Sequence, residues 1–222
     1  MSLILNIDTA LDTASVCLAN DGSALQLMFN ENQKDHGAWL HPAINEMLKK
    51  NKCKPLQLEA IAVSIGPGSY TGLRVGLAAA KGLCYALNIP LITVSTLKMM
   101  AFAVKEEASE LICPLIDARR MEVFVAVYDR SMQEIRPATA LEIDEHSFAS
   151  LVTSGPVLFC GNGCKKLQPL LEQHQAACSE TIANAAHLAA LSGLYFEKKE
   201  FASLAYTEPL YLKEFYTPPR RN

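Results

Sequence analysis

Twice along this chain, three strand-like runs joined by short turns are followed by a helix and a further buried strand. That repetition limits the fold more than any other feature. The first set is "LILNID" (Leu3–Asp8), "ASVCLAN" (Ala14–Asn20) and "ALQLMFN" (Ala24–Asn30), the last two joined by a hairpin "DG". Leu40, Ile44, Met47 and Leu48 then fall at helical spacing, which predicts a helix from about His36 to Lys50 with Pro42 in its first turn. "EAIAVSIG" is almost continuously apolar, as a strand covered on both faces should be. A glycine loop, a small-residue helix ending near Asn88–Pro90, the strand "PLITV" and a helix from Thr96 complete a β-β-β-α-β-α-β-α order. The pattern restarts with "LICPLIDA" and "MEVFVAVYD", a third strand expected around Thr139–Ile143, and a helix expected around Glu145–Leu151. The strand "PVLFC", the turn "GNG" and a helix from Cys164 follow. "ANAAHLAALSGLYFEKK" is a further buried helix, and the tail grips through Pro209–Leu212 and frays after Tyr216. Two similar α/β lobes follow from this: residues 1–103, and a smaller lobe over 104–222 whose last helix is expected to pack back on the first.

Half of the 222 residues are hydrophobic and 19% are charged, a balance that excludes a disordered chain. The formal net charge of −3 excludes a protein that grips nucleic acid by itself through a basic face. The seven cysteines are an odd number and sit mostly in apolar runs such as "SVCLA" and "GLCYAL", which reads as buried thiols in a reducing compartment. Cys160 and Cys164, with three residues between them and no histidine cluster, give little support for zinc. "MSLILNID" lacks the basic start and long apolar run of a signal peptide, and no run reaches membrane-spanning length. The expectation is a soluble, cytoplasmic protein.

The stretch "SIGPGSYTGLRVGLAAAKGL" (Ser64–Leu83) carries the functional question. Strand, glycine loop and helix is the order that presents N–H groups to an anion. Yet Gly72 is followed by Leu73 and Arg74, not by the Lys-Ser/Thr of a phosphate loop, and G-x-G-x-x-G does not match either. The alternative is a rigid bend at Gly66-Pro67-Gly68, a cap from Ser69 or Thr71, and a stripe of Gly72, Gly76 and Ala80 that lets a neighbour come close. Whether that neighbour belongs to the same chain stays open at this stage. Trp39, the single tryptophan, with Ala43 flanks the stripe of the preceding helix, and is either an interface anchor or a core residue.

These stretches, with "NIDTALDTASVCL", "DHGAWLHPAINEML", "PLITVSTL", "PLIDARRMEVFVAVYD", "GNG" and "PLYL", resemble the TsaB (YeaZ) family in order along essentially the whole chain. The resemblance implies two ribonuclease H-like lobes of the actin/Hsp70/sugar kinase (ASKHA) superfamily. It implies a non-catalytic subunit in the synthesis of threonylcarbamoyladenosine beside the tRNA anticodon. Its partner is the transferase TsaD, bound as a heterodimer through first-lobe helices. The ATPase TsaE joins through that pair, tRNA is met only in the complex, and the same surface serves a homodimer when the chain is alone. In these terms the expected interface is His36, Trp39, Leu40, Ala43 and Ile44 with Leu73, Gly76, Leu77 and Ala80.

The same resemblance allows a residue-by-residue check for catalysis. Thr96 and Met100 stand where the transferase has its metal-binding histidines, and His36 and His41, five apart, point from different helix faces. No metal site or catalytic residue is therefore expected. Asp8 and Asp117 lead the two hairpins that cradle phosphates in the superfamily, but Ala10 and Leu11, and Arg119 and Arg120, fill turns that need glycine for close backbone approach. A vestigial nucleotide site of Asp8, Asp117, Gly161 and Gly163, with weak ATP or ADP binding and no required cofactor, is left open. So is the alternative of an ATP-binding kinase-like enzyme or ATPase on this fold. Ser64, Ser69 and Cys84 have no histidine partner legible from sequence, which leaves a protease reading unsupported. Arg119/Arg120 and Arg220/Arg221 are solvated charges or contacts to tRNA or partner carboxylates.

Overall fold

Strands β1 (Leu3–Asp8), β2 (Ala14–Asn20) and β3 (Ser23–Asn30) form an antiparallel meander, with Asp21 and Gly22 both at positive φ in the tight turn that "DG" predicts. The computed structural model describes residues 2–32, 35–144, 146–168, 171 and 176–213. Glu145, Tyr216, Arg220 and Arg221, named above, lie outside them. Beyond β1 the sheet continues in parallel through β4 (Ala60–Ser64) and β5 (Leu91–Val94), giving the order β3-β2-β1-β4-β5. Alternation along β1 sorts the faces. Leu5 and Ile7 meet helices α1 (His36–Lys50) and α2 (Tyr70–Leu87), whereas Ile4 and Asn6 look to the opposite face.

The second sheet repeats the scheme. β6 (Leu111–Asp117), β7 (Glu122–Asp129) and β8 (Glu134–Glu142) are antiparallel, and β9 (Val157–Cys160) and β10 (Ala177–Ser179) extend β6 in parallel. Substituting each strand by its counterpart turns one sheet order into the other. β8 starts earlier than the strand expected around Thr139–Ile143 and contains Pro137, whose missing N–H is tolerated on an edge strand. Helix α4 (Ala149–Ser154) starts later than expected, because Asp144 Oδ1 accepts from His146 N and Ser147 Oγ and makes a turn of those residues first. The helix expected from Cys164 opens as a 3-10 run over Asn162–Leu167 and is α-helical at Gln168 and Leu171, the rest of that expectation lying outside the described residues.

β10 was not legible: three largely exposed residues carry no alternating pattern. Its return beside β9 brings Cys178 to Cys164, and the two form a disulfide with Cα atoms 6.7 Å apart. This corrects the reading of all seven cysteines as buried thiols, which holds for Cys17, Cys84, Cys113 and Cys160, while Cys53 is free and half-buried.

The chain crosses between sheets at two helices. α3 (Thr96–Ala103) follows the first sheet but packs Leu97, Met100 and Ala101 against Ile112, Ile116 and Tyr128 of the second. α5 (Ala185–Glu197) follows the second sheet and covers the first, where Ser192 Oγ donates to buried Asn6 and Ala185 N to Ser15 Oγ. No described helix is long and apolar enough to cross a membrane.

Pro42 does not sit in the first turn of α1. It lies inside the helix on the solvent side and removes the bond to the Ala38 carbonyl. On α2, Ser69 caps the start by accepting from Gly72 N, and Asn88 ends it in the left-handed conformation. The glycines of α2 serve different ends. A Cβ at Gly76 would collide with Thr9 Oγ1, whereas one at Gly82 meets nothing within 4 Å. Gly76→Ala is therefore expected to destabilise the protein by roughly 1–3 kcal/mol in urea unfolding. Gly82→Ala is expected to stabilise it by about 0.5–1 kcal/mol, and equal effects would refute the placement of α2.

Candidate functional site

The glycine loop faces inward, and three of its donors are already taken. Ser69 N donates to Ala10 O at 2.7 Å, Gly72 N to Ser69 Oγ at 3.3 Å and Gly66 N to Thr96 Oγ1 at 3.1 Å. Thr9 Oγ1 donates to Gly72 O at 2.7 Å, and a Cβ at Gly72 would strike the Thr9 carbonyl. The close neighbour of the small stripe is thus the β1–β2 turn of the same chain. Gly66, at φ 115°, also makes room for the Leu210 carbonyl, 2.7 Å from where a Cβ would stand.

The cleft between the lobes holds the four residues of the expected vestigial site. Asp8 Oδ1 accepts from Ser64 Oγ at 2.5 Å and from Ala10 N at 3.1 Å, while Oδ2 is buried with no hydrogen-bond partner. Burial pushes this carboxyl above its usual range, against the hydrogen bonds from Ser64 and Ala10 and the attraction of His36. Asp117 is the opposite case. Burial raises it, but the Lys166 ammonium at 2.5 Å and the N–H of Arg119 outweigh that and hold it below the usual range. Gly161 and Gly163 are small because the turn lies on Leu115, whose carbonyl or Cβ a side chain at either position would strike. Leu11 occupies the turn where a phosphate hairpin has glycine, and it packs into the inter-lobe core with Met100. Asn162 ties the turns together, with Oδ1 accepting from Asp117 N at 2.8 Å and Nδ2 reaching Asp12 at 3.4 Å. A buried raised carboxyl, a lysine on the second aspartate and filled turns do not fit a magnesium–phosphate site.

The other chemistry-bearing residues also have structural partners. Ser64 is bonded to Asp8, Ser69 is a cap, and burial pushes the Cys84 thiol up to about 11, so none is an activated nucleophile. Arg119 and Arg120 form the β6–β7 turn at φ 67° and 50°.

The helix face departs furthest from expectation. His36, Leu40, Ala43, Ile44, Leu73, Gly76, Leu77 and Ala80 are all buried within the first lobe, and Trp39 is half-buried against the same core. His36 Nδ1 lies 3.3 Å from the Asn30 amide nitrogen. These residues hold α1 and α2 on the sheet and reach no second protein unless the lobe opens. What the helices turn outward lies about half a turn away on α2 and about a third of a turn away on α1. It comprises Gly37, Ala38, His41 and Pro42 on α1, with Thr71, Arg74, Ala78, Gly82, Tyr85 and Ala86 on α2. The two helices touch where Gly37 approaches Val75, so this is one surface. Sequence did not separate the two faces because α2 is small on both: 72, 76 and 80 on one, 78, 82 and 86 on the other.

One wall of that surface comes from a segment that sequence only hinted at. Ala202 N donates to Leu91 O, Lys81 Nζ to the carbonyls of Ala205 and Thr207, and Leu210 N to Ile65 O at 2.7 Å. Residues 202–211 thereby run back along α2 to its first turn, and Lys213 then pairs with Glu122 of the second sheet.

The family model described as "TsaD: tRNA N6-adenosine threonylcarbamoyltransferase" matches residues 30–214. The tRNA threonylcarbamoyladenosine biosynthesis protein TsaB of Bacillus subtilis is 30% identical over 172 residues, 76% of this chain and 75% of that protein. Among solved structures, YeaZ from Pseudomonas aeruginosa superposes with a TM-score of 0.80 at 25% identity, over 96% of this chain and 100% of that one. The activator of 2-hydroxyisocaproyl-CoA dehydratase from Clostridium difficile, with bound ADPNP, shares the fold at 8% identity, with a TM-score of 0.51 over 90% of this chain and 95% of its own. The two-lobed α/β fold is thereby shown.

The state of Asp8 gives a pH test. A carboxyl raised in the folded state keeps its proton longer there, so stability falls as pH climbs from about 3.8 through the raised value. Asp8→Asn retains an acceptor for Ser64 and Ala10 and does not titrate. The wild-type urea midpoint should decline relative to the variant's over that window. A pH-independent difference would show that Asp8 is not raised.

Proposed function

From the chain's membership of the TsaB family, we propose that it acts in tRNA threonylcarbamoyladenosine synthesis as a non-catalytic subunit that docks on the TsaD-type transferase and keeps it in working shape. TsaE and tRNA are met through that complex, and the free chain pairs with a second copy through the same surface. The cleft supports a role without chemistry of its own, since its residues are tied up in side-chain and backbone bonds.

One observation carries the docking reading: Pro42 and Gly82 both stand at exposed interior positions of the touching helices α1 and α2. Each disfavours a helix, by about 3 and 1 kcal/mol respectively against alanine, and Gly82 makes no close approach inside the chain. A flat surface of Gly37, Ala38, Ala78 and Gly82 lets a partner's backbone come near, and half-buried Trp39 supplies an apolar body at its edge. The proposed interface is accordingly the outer face, with Trp39 common to it and to the face expected from sequence.

Light scattering of the chain mixed with its TsaD-type partner tests this. Ala78→Arg or Gly82→Arg should lower affinity for the partner about tenfold or more without lowering the melting temperature. Leu73→Asp should unfold the lobe instead. Full-strength binding by both arginine variants would refute the outer face as the interface.

A further inference from the structure

Arg74 stands on the outer face of α2, one turn before Ala78 and two before Gly82. An exposed arginine is ordinarily a mobile, solvated charge, but this one is held. Its guanidinium lies over the Tyr70 ring, 4.0 Å from the centroid, and its Nε donates to Tyr211 Oη at 3.0 Å. The two tyrosine rings stand 5.0 Å apart, centre to centre, so Tyr70 on the helix and Tyr211 on the returning segment together form an aromatic pair beside the guanidinium, which lies over the first ring and 6.0 Å from the centre of the second. Tyr211 is brought there by the bonds of Lys81 and Leu210, which fix the segment along α2.

None of the described carboxylates forms an ion pair with this guanidinium. Its Nε–H is used by Tyr211 and Tyr70 takes a further hydrogen bond from the guanidinium, while none of the described carboxylates takes the remaining Nη donors. Holding a long side chain in place before association removes much of the ordering cost that binding otherwise carries. A fixed arginine flanked by tyrosines is also the composition of an interface hot spot.

We propose that Arg74 is the charge-reading anchor of the docking face, receiving a carboxylate side chain of the protein partner on its remaining Nη donors, and that the returning segment serves to aim it through Tyr211. This rests on the docking reading and adds the chemistry of the contact: the partner surface seated on Ala78 and Gly82 carries an aspartate or glutamate next to small residues. Charge complementarity supports this occupant. Lys81, the neighbouring cation on α2, is turned to the carbonyls of Ala205 and Thr207, which leaves Arg74 as the cation presented there.

The experiment is titration calorimetry of the full chain against its TsaD-type partner, without nucleotide and then with Mg-ADP, with melting temperatures measured alongside. Arg74→Ala should weaken binding on the order of tenfold to a hundredfold with an unchanged melting temperature. Arg74→Lys should lose nearly as much, because an ammonium has no planar fork. Tyr211→Phe should show a smaller loss. In the free protein it should also abolish the slow solvent exchange of the Arg74 Nε–H seen by NMR, a signature that mere surface charge would lack. Wild-type affinity for Arg74→Ala, with Gly82→Arg still disruptive, would overturn the anchor and leave the docking face standing. Wild-type affinity for both would overturn the face and the anchor together. A loss by Arg74→Ala that appears only with Mg-ADP would make the ligand a phosphate and overturn the carboxylate assignment.

Discussion

Thr9 is gripped by α2 from both of its polar atoms. Its Oγ1 donates to the Gly72 carbonyl, and its own carbonyl stands where a Gly72 side chain would be. The next residue, Ala10, takes the N–H of Ser69. This seating fixes α2 flush against the end of β1, and most of the first lobe follows from it. A helix so close to a sheet admits only small residues on its inner side, hence Gly72, Gly76 and Ala80. The same loop already uses the N–H groups of Gly66, Ser69 and Gly72 within the chain.

The cleft is furnished accordingly. In an α/β sheet the carboxyl ends of the parallel strands are where a ligand ordinarily sits. Here that edge is closed by the chain's own groups: Ser64 on Asp8, Lys166 on Asp117, Leu11 in the first turn and Asn162 bridging the two hairpins. The two aspartates that head equivalent strands are pushed in opposite directions, one by burial and the other by a lysine. A site that handles a metal-bound phosphate needs both charged and accessible, whereas Asp8 is buried and Asp117, though charged and exposed, is already paired with Lys166. The conserved architecture and the altered furnishing are separate facts, since a fold carries many chemistries and residues decide among them.

With the cleft closed, the part of the first lobe that still asks for an explanation is its outside. Helices α1 and α2 keep a proline and a glycine at solvent positions, where free helices would be better served by alanine. The returning segment borders this face along α2 and adds the exposed Tyr206, at 87% accessibility, to the helix's own Tyr85 at 80%. Such a surface, flat in the middle and aromatic at the margin, has the anatomy of an association site. The segment comes after the second sheet in sequence, so the face is completed only when the whole chain has folded.

Much of this was legible from the residues in order. Alternation in "LILNID" and "ASVCLAN", the "DG" turn, helical spacing from Leu40 to Leu48 and the repeated strand order named both sheets, because each signal is local and its period is set by backbone geometry. The cap at Ser69 and the helix end at Asn88 were equally local. Departures arose where a distant residue decided. α2 has small residues on both sides, so only the position of Thr9 shows that 72, 76 and 80 face in and 78, 82 and 86 face out. β10, too short to have a period, exists by pairing with β9, and the Cys164–Cys178 bond exists because of that pairing. Arg74 and Tyr211 are 137 residues apart, and no spacing rule connects them. The sequence alone determined the elements, their repetition and the family, because those depend on neighbours along the chain. Which face is buried, which donors are free and which arginine is held were decided by tertiary structure, because they depend on neighbours across it.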